Sequence, residues 1–288
     1  MTNSNALPVD IQLGYVHLTV ANLDRSLAFY QDIIGLELHQ QQTGTAYLGV
    51  GDKPLLRLTE QPNARRVSGT TGLYHFAILV PSRLALAQSL KRIAETRTPV
   101  EGFADHLVSE AIYLPDPDGN GIEIYRDRPR TEWTYEPNGR LNMGTDPLDV
   151  EGVLGELAGN PQPWTGLHPD TVMGHIHLHV AHLEEAETFY RDVLGFDLML
   201  QYGGMASFLS VGGYHHHLGF NTWAGVGAPP PPTDALGLRW WTINLPNQAA
   251  LDQLLAQLAH SDIVTETMDE GWFLRDPAQN GLMLAVSE

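Results

Sequence analysis

Apolar positions recur along this chain in a pattern that repeats four times. Residues 15–20 read as a strand, and Leu23, Leu27, Tyr30 and Ile34 then fall at helical spacing before Gly35, where a left-handed cap would stop the helix. Strands over 46–50 and 55–59 follow. The unit is therefore strand, helix and a run of strands. A second copy runs from the strand 73–80 through a helix over about 82–94 to a hairpin within 106–125. The third begins at Gly174, and the fourth has a strand over 238–245 and a helix over about 248–258.

The text itself repeats. Gly14-Tyr-Val-His17-Leu-Thr-Val and Phe29-Tyr30-Gln-Asp32-Ile-Ile-Gly35 return as Gly174-His-Ile-His177-Leu-His-Val and Phe189-Tyr190-Arg-Asp192-Val-Leu-Gly195. Asp116-Pro117-Asp-Gly-Asn120-Gly121-Ile-Glu123-Ile returns as Asp276-Pro277-Ala-Gln-Asn280-Gly281-Leu-Met283-Leu. Duplication is the simplest explanation. Residues 127–171, rich in Pro, Gly and Asn with a short helix near 148–157, read as a linker and candidate lid, and the proline run 228–233 reads as a stiff loop.

The hairpin holds the first candidate chemistry. Residues 108–114 and 122–125 are rich in β-branched and aromatic side chains and are separated by an Asp-Pro-Asp-Gly-Asn-Gly turn. Alternation sends Ile122 and Ile124 one way and Glu123 the other. Glu123 either faces solvent or lies inside a closed sheet, where an unpaired charge is costly and a metal ion would compensate it. His17 and His75 on first strands are likewise either core histidines held by backbone carbonyls or ligands.

Composition narrows the field. The 288 residues suggest two domains, and 43% hydrophobic content argues against disorder. A formal charge of -18 disfavours binding to nucleic acid or anionic membrane, which leaves a small molecule as the partner. Cysteine is absent, so any metal must be held by His, carboxylate or water. The amino terminus lacks a basic start with an apolar core, and no run is long enough to span a bilayer, so a cytoplasmic protein is expected.

In these modules and motifs the chain resembles the vicinal oxygen chelate superfamily and, within it, the type I extradiol dioxygenases of the catechol 2,3-dioxygenase-like branch. His106, Tyr113, Pro117, Gly119 and Glu123 fit the family signature in order and spacing, with Ala104 a departure where Gly is commoner. The resemblance implies an α+β fold of four βαβββ modules paired into two incompletely closed mixed β-barrels, the glyoxalase/bleomycin resistance/dihydroxybiphenyl dioxygenase fold. It implies metal ligands His17, His75 and Glu123, with His106 as acid/base and Tyr113 hydrogen-bonded to the metal-bound oxygen. Two imidazoles and one carboxylate leave three positions open, as non-haem Fe(II) oxygenases require. Fe(II) is the implied metal, with Mn(II) as the other candidate. A small aromatic diol and O2 are the implied substrates, a 2-hydroxymuconic semialdehyde-type compound the product, and aromatic compound catabolism the setting. A homo-oligomer is compatible with all of this.

The expected domains are 1–128, carrying the metal, a linker over 129–170, and 171–288 with a degenerate centre. In the second half Trp240 falls opposite His75, Met283 opposite Glu123 and Phe273 opposite Tyr113. His175, His177 and His179 share a strand face there, and with His215, His216 and His217 they form a candidate second metal cluster; the alternative is that they are surface and packing residues. Two other functions compete. A glyoxalase-like isomerase or lyase would use a fourth ligand, but 55–59 offers no carboxylate or His, and a metal-independent binding protein would not need His17, His75 and Glu123 together.

Overall fold

The computed structural model describes residues 6–137, 139–159 and 163–287. The amino-terminal residues 1–5, read above for a targeting signal, lie outside the described residues, as do positions 138 and 160–162 of the expected linker. Four βαβββ modules are present. Module one comprises β1 (Gln12–Val20), α1 (Leu23–Phe29) continued by a π turn (Tyr30–Ile34), β2 (Glu37–Gln42), β3 (Thr45–Val50) and β4 (Lys53–Glu60). Module two comprises β5 (Gly72–Leu79), α2 (Arg83–Glu95), β6 (Gly102–Asp105), β7 (Ser109–Pro115) and β8 (Gly121–Asp127). The short helix α3 (Val150–Gly155) falls where the linker pattern predicts one. Module three comprises β9 (Val172–His179), α4 (Leu183–Glu187) with a π turn (Thr188–Val193), β10 (Asp197–Tyr202), β11 (Ala206–Ser210) and β12 (Leu218–Asn221). Module four comprises β13 (Gly237–Leu245), α5 (Gln248–His260), β14 (Glu266–Met268), β15 (Gly271–Arg275) and β16 (Gly281–Val286).

Helix starts follow from capping. Asn22, Ser82 and Asn247 follow the first strands β1, β5 and β13, and their side chains accept the backbone N–H of Arg25, Ala85 and Ala250. Gly35 ends the first helix at φ 90°, in the left-handed region that the sequence predicts for it.

The strands make two eight-stranded mixed sheets in the orders β14-β15-β16-β13-β1-β4-β3-β2 and β10-β11-β12-β9-β5-β8-β7-β6. The α+β fold of four modules is as expected, but the sheets group the modules differently from the sequence reading. Modules one and four supply one sheet and modules two and three the other, whereas chain order suggested one with two and three with four. The physical reason is that a module's first strand has an edge to fill, and any other module's first strand can fill it. Among the described residues no helix is long and apolar enough to cross a membrane.

The chain divides into two compact units, one of residues 1–18, 65–74 and 175–288, the other of 19–64 and 75–174. Each is tied internally by the same device. In one, the Tyr30 hydroxyl donates to Asp116 Oδ2 at 2.8 Å; the carboxylate also accepts the backbone N–H groups of Asp118 and Asn120 and the Asn120 side-chain amide. In the other, Tyr190 donates to Asp276 at 2.9 Å, and Asn280 donates through both its backbone and its side chain. The repeated Asp-Pro turn and the repeated Phe-Tyr pair are thus two ends of one buried contact. Burial pushes both aspartates above the ordinary carboxylate range, opposed by these hydrogen bonds, and burial first, then the aspartate, pushes both tyrosines well up.

Replacing Tyr30 by Phe removes one donor to a buried carboxylate, and it is expected to cost about 1–3 kcal/mol. Urea unfolding of Tyr30→Phe at neutral pH measures this, and an unchanged midpoint at unchanged slope would contradict the account.

Candidate metal centre

β8 is buried on both faces, with Ile122, Glu123, Ile124 and Tyr125 all nearly inaccessible, so Glu123 is inside the sheet and not on a solvated strand. It is 2% exposed. β5 lies parallel to β8 with Ala77 opposite Glu123, which puts His75, two residues earlier, on the same face. His75 Nε2 and Glu123 Oε2 are 3.1 Å apart. In the antiparallel partner β7, Tyr113 stands directly opposite Glu123 and shares that face, and its ring centroid is 5.6 Å from that of His75. Three of the predicted residues are therefore brought together.

His106 joins them through Tyr113. Its Nε2 is 2.7 Å from the Tyr113 hydroxyl and its Nδ1 is 2.7 Å from the Gly144 carbonyl. A carbonyl can only accept, so Nδ1 carries a proton and, in neutral His106, Nε2 accepts from Tyr113. The linker supplies more than that carbonyl. Asp146 and Asp105 exchange both backbone hydrogen bonds, at 2.8 and 2.9 Å, and Leu107 turns at φ 69° with its N–H on the Asp105 carboxylate. Within the stretch read as a linker and candidate lid, residues 144–146 thus brace the His106 loop.

On the opposite face of β7, Glu110 is caged by arginines. Arg83 Nε approaches at 2.9 Å, Arg126 Nε at 2.7 Å and Arg128 at 3.4 Å. This buried charge belongs to the packing of α2 on the sheet, and it fixes the strand whose other face carries Tyr113.

The structure puts His17 elsewhere. It is buried on β1, in the other sheet, with its ring centroid 4.1 Å from that of Trp240. In the described residues the group of ligand-type side chains suited to a metal is His75, Glu123 and His175, all buried, with one ligand atom from each within 4.8 Å of the others. Two imidazoles and a carboxylate are the donor set expected, with His175 in place of His17. Counting back from the helix caps finds the substitution. His75 and His175 each stand seven residues before the helix N-cap that follows, Ser82 and His182, whereas Tyr15 and Trp240 hold that place before Asn22 and Asn247. His17 lies two residues further along, opposite His177 and not opposite His75.

The remaining histidines of module three do not form a second metal group among the described residues. His177 Nε2 is 2.9 Å from Asn221 Nδ2, His179 Nδ1 is 2.8 Å from Asn221 Oδ1, and His217 Nδ1 accepts the Val211 N–H at 3.3 Å. These three histidines take part in hydrogen bonds with Asn221 and the Val211 amide.

The repeated modules and the buried donor set define a class. Residues 12–124 and 172–284 match the Glyoxalase/Bleomycin resistance protein/Dioxygenase superfamily, and the chain belongs to it. The catechol-2,3-dioxygenase of Bacillus subtilis (strain 168) is 45% identical over 281 residues, covering 96% of this chain and 98% of that protein. A lactoylglutathione lyase of Neisseria meningitidis serogroup A is 26% identical over 127 residues, covering 41% of this chain and 92% of that protein. A solved putative dioxygenase from Bacillus subtilis superposes with a TM-score of 0.66 at 14% identity, over 98% of this chain and 86% of that one. Glyoxalase I from Zea mays gives 0.58 at 14% identity, over 96% and 92%. These two structures speak for the fold alone.

Removing the Glu110 carboxylate leaves Arg126 buried without its counter-charge, a change expected to cost about 3–5 kcal/mol. Chemical denaturation of Glu110→Ala checks it, and a loss below about 1 kcal/mol would show the cage to be dispensable.

Proposed function

We propose that this protein is an extradiol ring-cleaving dioxygenase that opens a catechol with O2 to a 2-hydroxymuconic semialdehyde-type product, within cytoplasmic aromatic catabolism. The observation that carries the reading is the buried His75 and Glu123 pair with Tyr113 on the same face and His106 behind it. The relative of B. subtilis, similar along nearly its whole length, supports it.

His75, Glu123 and His175 would hold the metal, Fe(II) with Mn(II) as the alternative. Such an ion would bind the diol and O2 and would supply the one-electron steps that O2 chemistry requires. The other roles fall to the chain. The Tyr113 hydroxyl, on the ligand face and donating to His106 Nε2, can take a hydrogen bond from a diol oxygen placed there. A proton released by the diol passes along that bond to Nε2, and the Gly144 carbonyl on Nδ1–H stabilises the imidazolium that results. The reverse transfer returns the proton to a departing oxygen. Burial of His75 and Glu123 keeps water from this exchange.

The test is anaerobic loading with Fe(II), then catechol and air, following the yellow absorbance of a semialdehyde. Wild-type protein is expected to turn yellow, and Glu123→Ala to lose both the metal and the colour. His106→Ala should keep the metal and slow turnover by about 10² to 10⁴. Metal-loaded protein that stays colourless with catechol and its substituted forms would overturn the proposal.

A further inference from the structure

We propose that the exposed apolar surface at the β10–β11 turn and the loop after β12 is where a second copy of this chain docks, giving a two-fold homodimer. The inference stands apart from the extradiol reading and holds or fails without it.

Residues 198–233 contain no Asp, Glu, Lys or Arg, in a chain of formal charge -18. The corresponding stretch of module one, residues 38–71, carries six: Asp52, Lys53, Arg57, Glu60, Arg65 and Arg66. Both stretches build the same three strands, so the fold does not demand the difference. By strand register Tyr202 and Trp223 stand where Gln42 and Gln61 do, and Met205 is an extra residue in the turn. Polar positions of one module are thus apolar in its repeat.

The turn and the loop form one surface. Met205 N–H donates to the Tyr202 carbonyl at 3.1 Å and Thr222 N–H to the Met205 carbonyl at 2.9 Å, and the Trp223 ring next to Thr222 lies 5.1 Å from that of Tyr74. Gly225 N–H donates to Thr222 and Ala228 N–H to Gly225, which puts Val226 in a tight turn beside them. Tyr202 is 60% exposed, Met205 51%, Trp223 45%, Val226 77% and Tyr74 40%. Side chains of this size and exposure leave on the order of 500 Å² in water, enough to mark a contact surface. Doubled across a two-fold axis, that is about 1,000 Å², the least that a specific interface buries.

The charge pattern selects the occupant. Two copies of formal charge -18 repel wherever their charged faces meet, so they approach closely only through a face without charge. A basic partner would gain from the acidic faces and has no use for this one. An isologous contact sets the uncharged surface of one copy against the same surface of the other. β10 is a sheet edge, but its register shifts between Leu198 and Leu200, and such a bulge turns an edge away from strand addition. The contact is therefore made by side chains and not by extending the sheet.

Sedimentation velocity of the full chain at micromolar concentrations tests this. Wild type is expected to be a dimer whose Kd falls as NaCl is raised, because salt screens the repulsion between copies and spares apolar contact. Met205→Glu and Val226→Asp are each expected to raise Kd at least about thirtyfold, the loss of one hot-spot contact, with circular dichroism unchanged. The same charge at Tyr135, which is 60% exposed outside this surface, should leave Kd as it is in wild type. A monomeric wild type would overturn the proposal. So would a dimer that Met205→Glu and Val226→Asp both leave intact, or one that Tyr135→Glu weakens as much as they do.

Discussion

Four carboxylates are buried between residues 110 and 123, and each must be compensated inside the sheet. Glu110 is surrounded by three arginines and Asp118 is paired with Arg25. Asp116 has no arginine among its hydrogen bonds but takes four neutral donors, from Tyr30, Asn120 and two backbone amides. Glu123 is given an imidazole, His75. The first three solutions lock strands, turns and helices together. The fourth combines two side chains of ligand type on one buried face, and the rest of the candidate centre is arranged around it. Tyr113 stands opposite Glu123, His106 leans on Tyr113, and the Gly144 segment braces His106.

The same scaffold also occurs in this chain without this combination. The module-four turn repeats the Asp116 device in Asp276, Asn280 and Tyr190, so the fold-forming part of the motif survives there intact. Met283 stands where Glu123 would, and Trp240 and Tyr15 stand where His75 and His175 do, counted from the helix caps. In that setting a buried histidine such as His17 packs on Trp240 as a core ring does. One sheet retained the donors and the other filled their places with apolar and aromatic volume.

Much of this was legible beforehand because it is local. The four modules, the hairpin that carries Tyr113 and Glu123, and the helix stop at Gly35 follow from periodicity, turn residues and a left-handed glycine. The strands β2 and β6 escaped notice for a definite reason. β2 is exposed at every position and reads Glu-Leu-His-Gln-Gln-Gln, so it has no apolar alternation to betray it, and β6 is four residues long. The pairing of modules also escaped, since a free edge on a first strand does not say which other strand will fill it. His175 was visible as one of three alternating histidines, but choosing it over His177 required counting from the helix cap instead of from the repeated text. Asn221, which hydrogen-bonds both His177 and His179, carried no signal at all until β12 and β9 were paired.

The central claim is that the metal belongs to the sheet of β5 and β8 and not to β1. Iron stoichiometry and affinity in folded His17→Ala and His75→Ala variants, loaded anaerobically and measured side by side, test it most directly. The account predicts wild-type iron binding in His17→Ala and loss of binding in His75→Ala. Loss of iron in His17→Ala, or full retention in His75→Ala, would contradict it.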